Sequence, residues 1–300
     1  MRIATRGSPL ARWQAETVAT QLKALGQEPE LVLVKTEGDR DQQSPIWELA
    51  GRGVFVKEVQ AAVLDGRADL AVHSAKDLMS IPTVGLQIIG CLKRGNVCDS
   101  LVGTRLHELR EGAVIATGSV RRKAQLSNIR PDLHFVGLRG NIETRIGALQ
   151  STEIDAIVVA AAALERLGIV NVISETLDET IFIPQVGQGA IALECRASDE
   201  TTAETLMNLI DLNTSECVQA ERSFLAELGG GCDLPVGAYA TKTGEVMTLT
   251  AVIATHDGST IVRDEKTGTY PTQLGKDIAD SLLNVKGGAS LLYSRERPEM

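Results

Sequence analysis

Short apolar runs alternate with stretches of helical spacing along the first two thirds of the chain. Arg2–Thr5 and Leu31–Lys35 read as strands. Between them Ser8 and Pro9 supply a helix cap and first turn, and Leu10, Trp13, Val18, Leu22 and Leu25 form a stripe that predicts the buried face. Gly26 closes the helix. Val54–Leu64 predicts a second helix, and Asp69–His73 and Leu86–Cys91 predict further strands. The rhythm restarts near Leu101, with strands at Val114–Thr117, Leu133–Val136 and Asp155–Val159 and helices at Val120–Ile129 and Ile142–Leu149. Such alternation predicts parallel sheets flanked by helices, in two α/β units.

The pattern changes after Thr201. Helices at about 201–210 and 215–228 lead to Gly229-Gly230-Gly231 and Cys232. Val236–Ala240, Met247–Thr255 and Thr260–Lys266 then alternate as antiparallel strands do, with turns at Lys242–Gly244 and Asp257-Gly258. A last helix, Gln273–Leu283, precedes a polar tail, so the third unit reads as a small α+β domain.

Composition narrows the function. A length of 300 residues suits two or three domains, and a 43% hydrophobic share excludes wholesale disorder. The 30 basic and 39 acidic residues leave a net charge of −9, and aromatics make up only 3%. Both features argue against a nucleic-acid partner, which needs a basic face and stacking rings. The longest apolar run, Ala156 to Leu164, is too short to span a bilayer, and Met1 to Pro9 lacks the apolar centre of a signal peptide. The expectation is a cytoplasmic protein, without a membrane partner and reasonably a monomer. Five cysteines with no CxxC pair and four scattered histidines predict free thiols and no metal.

Several loops carry chemistry. Gly118-Ser119-Val120-Arg121-Arg122-Lys123 opens a helix after a strand, so three cations oppose the helix dipole. Either they form a solvated basic turn or they converge on a carboxylate or phosphate. Arg139-Gly140-Asn141, with Arg145 a turn further on, repeats the arrangement, as do Arg6-Gly7-Ser8 and, less clearly, Arg52-Gly53. Loops at the carboxyl ends of strands in α/β sheets gather at one crevice, and together these arginines favour a polyanion site there. His73-Ser74-Ala75-Lys76-Asp77 follows a strand. Its carboxylate and ammonium are either a surface pair or a place where Asp77 steadies a developing cation, and His73 reads as a packed strand residue. Cys91, Cys195 and Cys217 read as buried small hydrophobes, whereas Cys232 lies beside three glycines. It is either a nucleophile or attachment point, or a tight-turn cysteine. Pro184 to Ala190 is a glycine loop that reads as a chain crossing between the two α/β units, with Gln188 able to point into the crevice.

Taken in order, these stretches resemble the porphobilinogen deaminase (hydroxymethylbilane synthase) family. The likeness rests on Arg2-Ile3-Ala4-Thr5-Arg6-Gly7-Ser8-Pro9-Leu10-Ala11, Val72-His73-Ser74-Ala75-Lys76-Asp77, Ser119-Val120-Arg121-Arg122, Leu138-Arg139-Gly140-Asn141, Gln185-Val186-Gly187-Gln188-Gly189 and Glu221-Arg222 with Gly230-Gly231-Cys232. The resemblance implies two periplasmic-binding-protein-like α/β domains plus a small C-terminal α+β domain, divided as 1–94 with 188–208, 95–187 and 209–300. It implies a transferase of tetrapyrrole and heme biosynthesis that polymerises four porphobilinogen molecules head to tail, each with loss of ammonia. The chain would grow on a dipyrromethane cofactor joined by a thioether to Cys232, and water would release 1-hydroxymethylbilane. By resemblance Lys76, Ser119, Arg121, Arg122 and Arg145 hold cofactor carboxylates, Arg6, Ser8, Arg139 and Arg166 serve the substrate together with Gln188, and Asp77 binds pyrrole N–H groups. The arginine fork suits such carboxylates better than a lysine. The chain departs from the family pattern at Asn96-Val97-Cys98-Asp99, where Asp-Pro-Arg-Asp is usual, at Arg52, often Lys, and at Glu37 and Glu48, often basic. The rival reading is a non-enzymatic anion-binding protein of the same two-lobed architecture.

Overall fold

A computed structural model describes residues 1–40, 53–230 and 234–293. The first helix, Pro9–Ala24, is capped by Ser8, whose Oγ accepts the Ala11 N–H, with Pro9 in the first turn. Its buried face is Gln14, Ala15, Val18 and Leu22, while Trp13 and Leu25 are 37% and 46% exposed. The predicted stripe is therefore corrected at those two positions. Ala15, Val18 and Leu22 fall three and four apart and dock on the sheet, and that spacing leaves Trp13 on the flank.

The strands are β1 Arg2–Arg6, β2 Glu30–Val34, β3 Leu70–Ser74, β4 Leu86–Cys91, β5 Asp99–Gly103, β6 Val114–Ala116, β7 His134–Val136, β8 Ala156–Ala160, β9 Ile173–Thr176, β10 Ile191–Arg196, β11 Val236–Thr243, β12 Val246–Ala254 and β13 Ile261–Gly268. They build two five-stranded sheets, ordered β2-β1-β3-β10-β4 and β7-β6-β8-β5-β9, and one three-stranded sheet, β11-β12-β13. The two larger sheets share one plan. β1 is parallel to β2 and β3, as β6 is to β7 and β8, while β10 and β5 run antiparallel to both of their neighbours. The expected parallel sheets are thus mixed. β5 and β10 each enter straight from the other unit, with no crossover helix to enforce parallel pairing.

Between β4 and β5 the chain passes from the first sheet to the second, and between β9 and β10 it returns. The two crossings lie against each other, with the Gly95 N–H donating to the Gly189 carbonyl at 3.0 Å. Gly187 and Gly189 make this approach possible. Both have positive φ, and a Cβ at Gly187 would stand 2.9 Å from the Ala75 carbonyl carbon, one at Gly189 2.7 Å from the carbonyl oxygens of Gly95 and Asn96.

The third unit packs the helices Leu212–Glu227 and Pro271–Asp280 on β11-β12-β13, around Phe224, Leu249, Ile253 and Ile278. It grips the crossings through a buried carboxylate. Glu221 accepts from Arg94 Nη1 and Nη2 at 2.6 and 3.1 Å and from the backbone N–H groups of Gly187 and Ala240, while Arg94 Nε donates to the Gln188 carbonyl. Residues Gly288–Tyr293, expected in a polar tail, are helical. No helix of the described residues is long and apolar enough to cross a membrane, and no group of three potential metal ligands occurs among them.

Candidate active site

Two cavities, of about 700 and 180 Å³, adjoin along a wall made by Phe55, Lys76, Asp77, Arg122 and Arg145. The loops that line them follow the carboxyl ends of strands. Arg6 ends β1 and Ser8 follows it, Lys76 and Asp77 come after β3, Ser119 with Arg121 and Arg122 after β6, and Arg139 with Arg145 after β7. The larger cavity takes Arg6, Ser8 and Arg139; the smaller takes Ser119 and Arg121. Nine of the twelve candidates line these walls, and Cys232 lies outside the described residues. Its described neighbours bear on the smaller cavity, which Leu234 lines, and Gly230 sits against Ser80, another residue of that lining. Arg52 and Glu48 also lie outside the described residues.

Cations dominate the shared wall. Burial and the neighbouring Arg122 pull the Lys76 ammonium down to about 8, with Arg145 adding to the repulsion while Asp77 and Asp99 oppose it. Burial lowers Arg145 to about 10, with Arg122, Arg139 and Arg6 repelling it and Asp77 supporting its charge. Arg145 Nε donates to the Gly140 carbonyl. Arg6 is held by Asp39 and lies over the Phe55 ring at 4.3 Å. Two guanidinium nitrogens, Arg121 Nε and Arg139 Nη1, are buried with no hydrogen-bond partner among the described residues. Buried donors are rarely left unsatisfied, so these mark places for an acceptor from outside the protein.

Arg121 and Arg122 are not a free pair. Both reach Asp99, fully buried at the head of β5: Arg121 Nη2 donates at 2.7 Å, and Arg122 Nε and Nη2 donate at 2.9 and 2.6 Å. The two guanidiniums hold the Asp99 carboxyl well below the usual carboxylate range, against the opposing effect of its burial. Sequence reasoning passed over this aspartate. Its signal was charge balance, since two arginines opening a helix over a buried sheet need an anion beneath them. Asp39 and Phe55, which hold Arg6, were missed because they lie far from it in sequence.

A family model for "Porphobilinogen deaminase, dipyromethane cofactor binding domain" matches residues 1–204, and one for "Porphobilinogen deaminase, C-terminal domain" matches residues 215–284. The chain is also 43% identical over 304 residues to the porphobilinogen deaminase of Trichlorobacter lovleyi, covering 99% of this chain and 97% of that one. The chain belongs to the porphobilinogen deaminase family. Family members from Geobacter sulfurreducens and Bacillus cereus are 40% and 41% identical, each across 99% of this chain and covering 96% and 98% of their own lengths. Among solved structures, a YaeC-family lipoprotein from Enterococcus faecalis aligns with a TM-score of 0.41 at 12% identity, over 77% of this chain and 97% of that one. A nutrient-binding protein from Burkholderia cenocepacia bound to methionine gives the same score and identity over 69% and 89%. Those likenesses are slight, and the strand order defines the fold.

Two residues that the family resemblance assigned to the substrate stand elsewhere. Gln188, expected in the crevice, is fully buried between the crossings, where its Nε2 donates to the Val97 carbonyl at 2.7 Å and to Asp99 Oδ1 at 3.0 Å. Arg166 lines neither cavity. Its Nη2 donates to the Gly189 carbonyl at 2.6 Å and its guanidinium lies 5.6 Å from the centre of the Trp13 ring, tying the helix Ala161–Arg166 to the first helix. His73 is buried as expected, its Nε2 3.2 Å from Glu194 Oε2. Cys91, Cys195 and Cys217 are buried too, and burial pushes the Cys91 and Cys217 thiols up to about 12 and about 11.

Proposed function

We propose that the chain deaminates porphobilinogen and links four molecules head to tail on a dipyrromethane primer carried by a thioether at Cys232, with water releasing 1-hydroxymethylbilane. The observation that carries this reading is the convergence of Lys76, Arg122, Arg139, Arg145 and Arg6 on adjoining cavities with Asp77 among them. Burial lowers both Lys76 and Arg145, and the neighbouring arginines add repulsion to that cost. A ligand bearing several carboxylates relieves that cost, because each carboxylate accepts two or more guanidinium N–H bonds. The unpartnered Arg121 Nε and Arg139 Nη1 fit such a ligand. A rival small-anion-binding protein would need only one or two such cations.

In this reading Lys76, Ser119, Arg121, Arg122 and Arg145 hold the acid groups of the primer, while Arg6, Ser8 and Arg139 hold the acetate and propionate of incoming porphobilinogen. The primer, when bound, supplies a free pyrrole α-carbon as nucleophile. Asp77 accepts the ring N–H of the porphobilinogen undergoing deamination. As the bond from the exocyclic carbon to the amine breaks and ammonia leaves, positive charge spreads onto the ring nitrogen, and the nearby carboxylate lowers its energy. The low position of Lys76 makes it the cation of the set that neutralises first as pH rises.

We also take the units to divide as 1–94 with 188–208, 95–187 and 209–300, in keeping with the two crossings, and the chain to act as a cytoplasmic monomer. The test is turnover by the purified chain, read as porphobilinogen consumed and ammonia released. Asp77→Ala loses about 3–4 kcal/mol of stabilisation, a fall of roughly 10²–10³ in rate. Turnover in that variant within a few-fold of the parent overturns the role given to Asp77.

A further inference from the structure

Gln188 stands where the two crossings and the cation wall meet. Its side chain is fully buried, and both of its neighbours on the nitrogen side, the Val97 carbonyl and Asp99 Oδ1, can only accept. That chemistry fixes the amide: Nε2 faces them, and Oε1 is turned toward Lys76 Nζ, 3.5 Å away. Asp99 in turn carries Arg121 and Arg122. One amide therefore touches both the ammonium and the counter-ion of the two arginines. Its own carbonyl accepts from Arg94 Nε, and Arg94 is in turn held by Glu221 of the third unit, which also accepts the neighbouring Gly187 N–H.

We propose that Gln188 is a positioning residue, whose amide sets the Lys76 ammonium and the Asp99–arginine pair in register with the crossings, and which does not itself touch substrate. The inference rests on the reading of Lys76 as a carboxylate-holding cation. The charged groups around Lys76 are Asp77 beside it, Asp99 from β5, Arg122 from the helix Val120–Ile129 and Arg145 from the helix Ile142–Gly147. None of these is removed when Gln188 is changed to Met, a side chain of similar length with no acceptor oxygen.

The experiment is competitive amine labelling of Lys76 against pH in the full chain, read by peptide mass spectrometry. In the parent the midpoint is expected at about 8, lowered chiefly by burial. In Gln188→Met the ammonium loses a hydrogen-bond acceptor and the midpoint falls by about one pH unit. The alkaline limb of kcat/KM falls with it. A purely structural role for Gln188 lowers the rate evenly across pH and leaves the midpoint in place, which overturns the proposal. A variant that fails to fold declares itself by a midpoint near 10.4, that of a free lysine. In that event the parent chain decides. The Gln188 side-chain amide protons, held between Val97 and Asp99, should exchange slowly and their resonances should move as Lys76 titrates, while fast exchange or an unresponsive signal overturns the proposal. Failure of the labelling result leaves porphobilinogen turnover untouched, so it is distinguishable from failure of the proposed function.

Discussion

Replacing Asp99 by Asn removes one negative charge from beneath two buried guanidiniums. In the parent, Arg121 Nη2, Arg122 Nε and Arg122 Nη2 donate to this carboxylate within 2.9 Å, and Gln188 adds a fourth bond at 3.0 Å. Arg121, Arg122 and Asp99 are each at most 7% exposed in their side chains, so solvent screens the interactions little. Breaking a buried ion pair by removing one partner costs about 3–5 kcal/mol. For a chain of 300 residues the unfolding entropy is about 0.6 kcal/mol/K, which turns that cost into a fall of roughly 5–8 °C in Tm. The assay is thermal unfolding by circular dichroism, with parent and Asp99→Asn both prepared free of cofactor so that loading does not differ between them. The acid dependence gives an independent check. Because Asp99 has a depressed folded pKa, its contribution is present above the unfolded value of about 3.9 and disappears as pH falls below it. The gap between parent and variant should therefore be full at pH 7 and shrink as the pH drops below about 4. A variant melting within a degree of the parent at pH 7, or a gap that persists unchanged in acid, would show that the arginines do not depend on Asp99.

Three other outcomes follow from the same geometry. Gly187→Ala, whose added carbon would press on the backbone at Ala75 in a positive-φ conformation, should reduce soluble yield or Tm, as measured by thermal unfolding. Arg139→Leu, which removes the guanidinium carrying an unpartnered Nη1, should raise KM for porphobilinogen about ten-fold with a smaller change in cofactor loading, read by steady-state kinetics and intact mass. Alkylation of the native cofactor-free chain at pH 8 should modify Cys232 ahead of Cys91, Cys98 and Cys217, whose thiols are pushed up to about 12, about 12 and about 11, as peptide mass spectrometry would show.

The elements were legible wherever local chemistry decides them. Ser8, Ser119 and Asn141 cap the helices they were expected to open, or to adjoin, and the three C-terminal strands pair antiparallel, although β11 runs three residues past its expected end at Ala240, into the expected turn. Direction within the two large sheets was not legible. β5 and β10 are short apolar runs like any other, and only their place after a crossing makes them antiparallel. The first helix misled for a different reason: alanines count little in an apolar pattern, yet Ala15 is buried and Trp13 is partly exposed against Arg166.

The site was legible as chemistry and less so as geometry. Repeated arginines after strands marked the loops that do gather at the two cavities. What a linear pattern does not carry is which of them another side chain has already engaged. Asp99, distant in sequence from Arg121 and Arg122, engages both, and Asp39 engages Arg6. Arg166 was placed at the substrate by family resemblance, and Gln188 because the crossing loop could turn it into the crevice. Instead they tie the crossings together, one beneath the cation wall and the other against the first helix.

Intact-mass spectrometry of the denatured chain, expressed in cells that make porphobilinogen, bears most directly on the tethered primer. The parent should carry the added mass of two linked pyrrole units, and Cys232→Ser should carry none while still folding. A parent of unmodified mass that nonetheless turns over porphobilinogen, or an adduct that survives in Cys232→Ser, would contradict attachment at that sulfur.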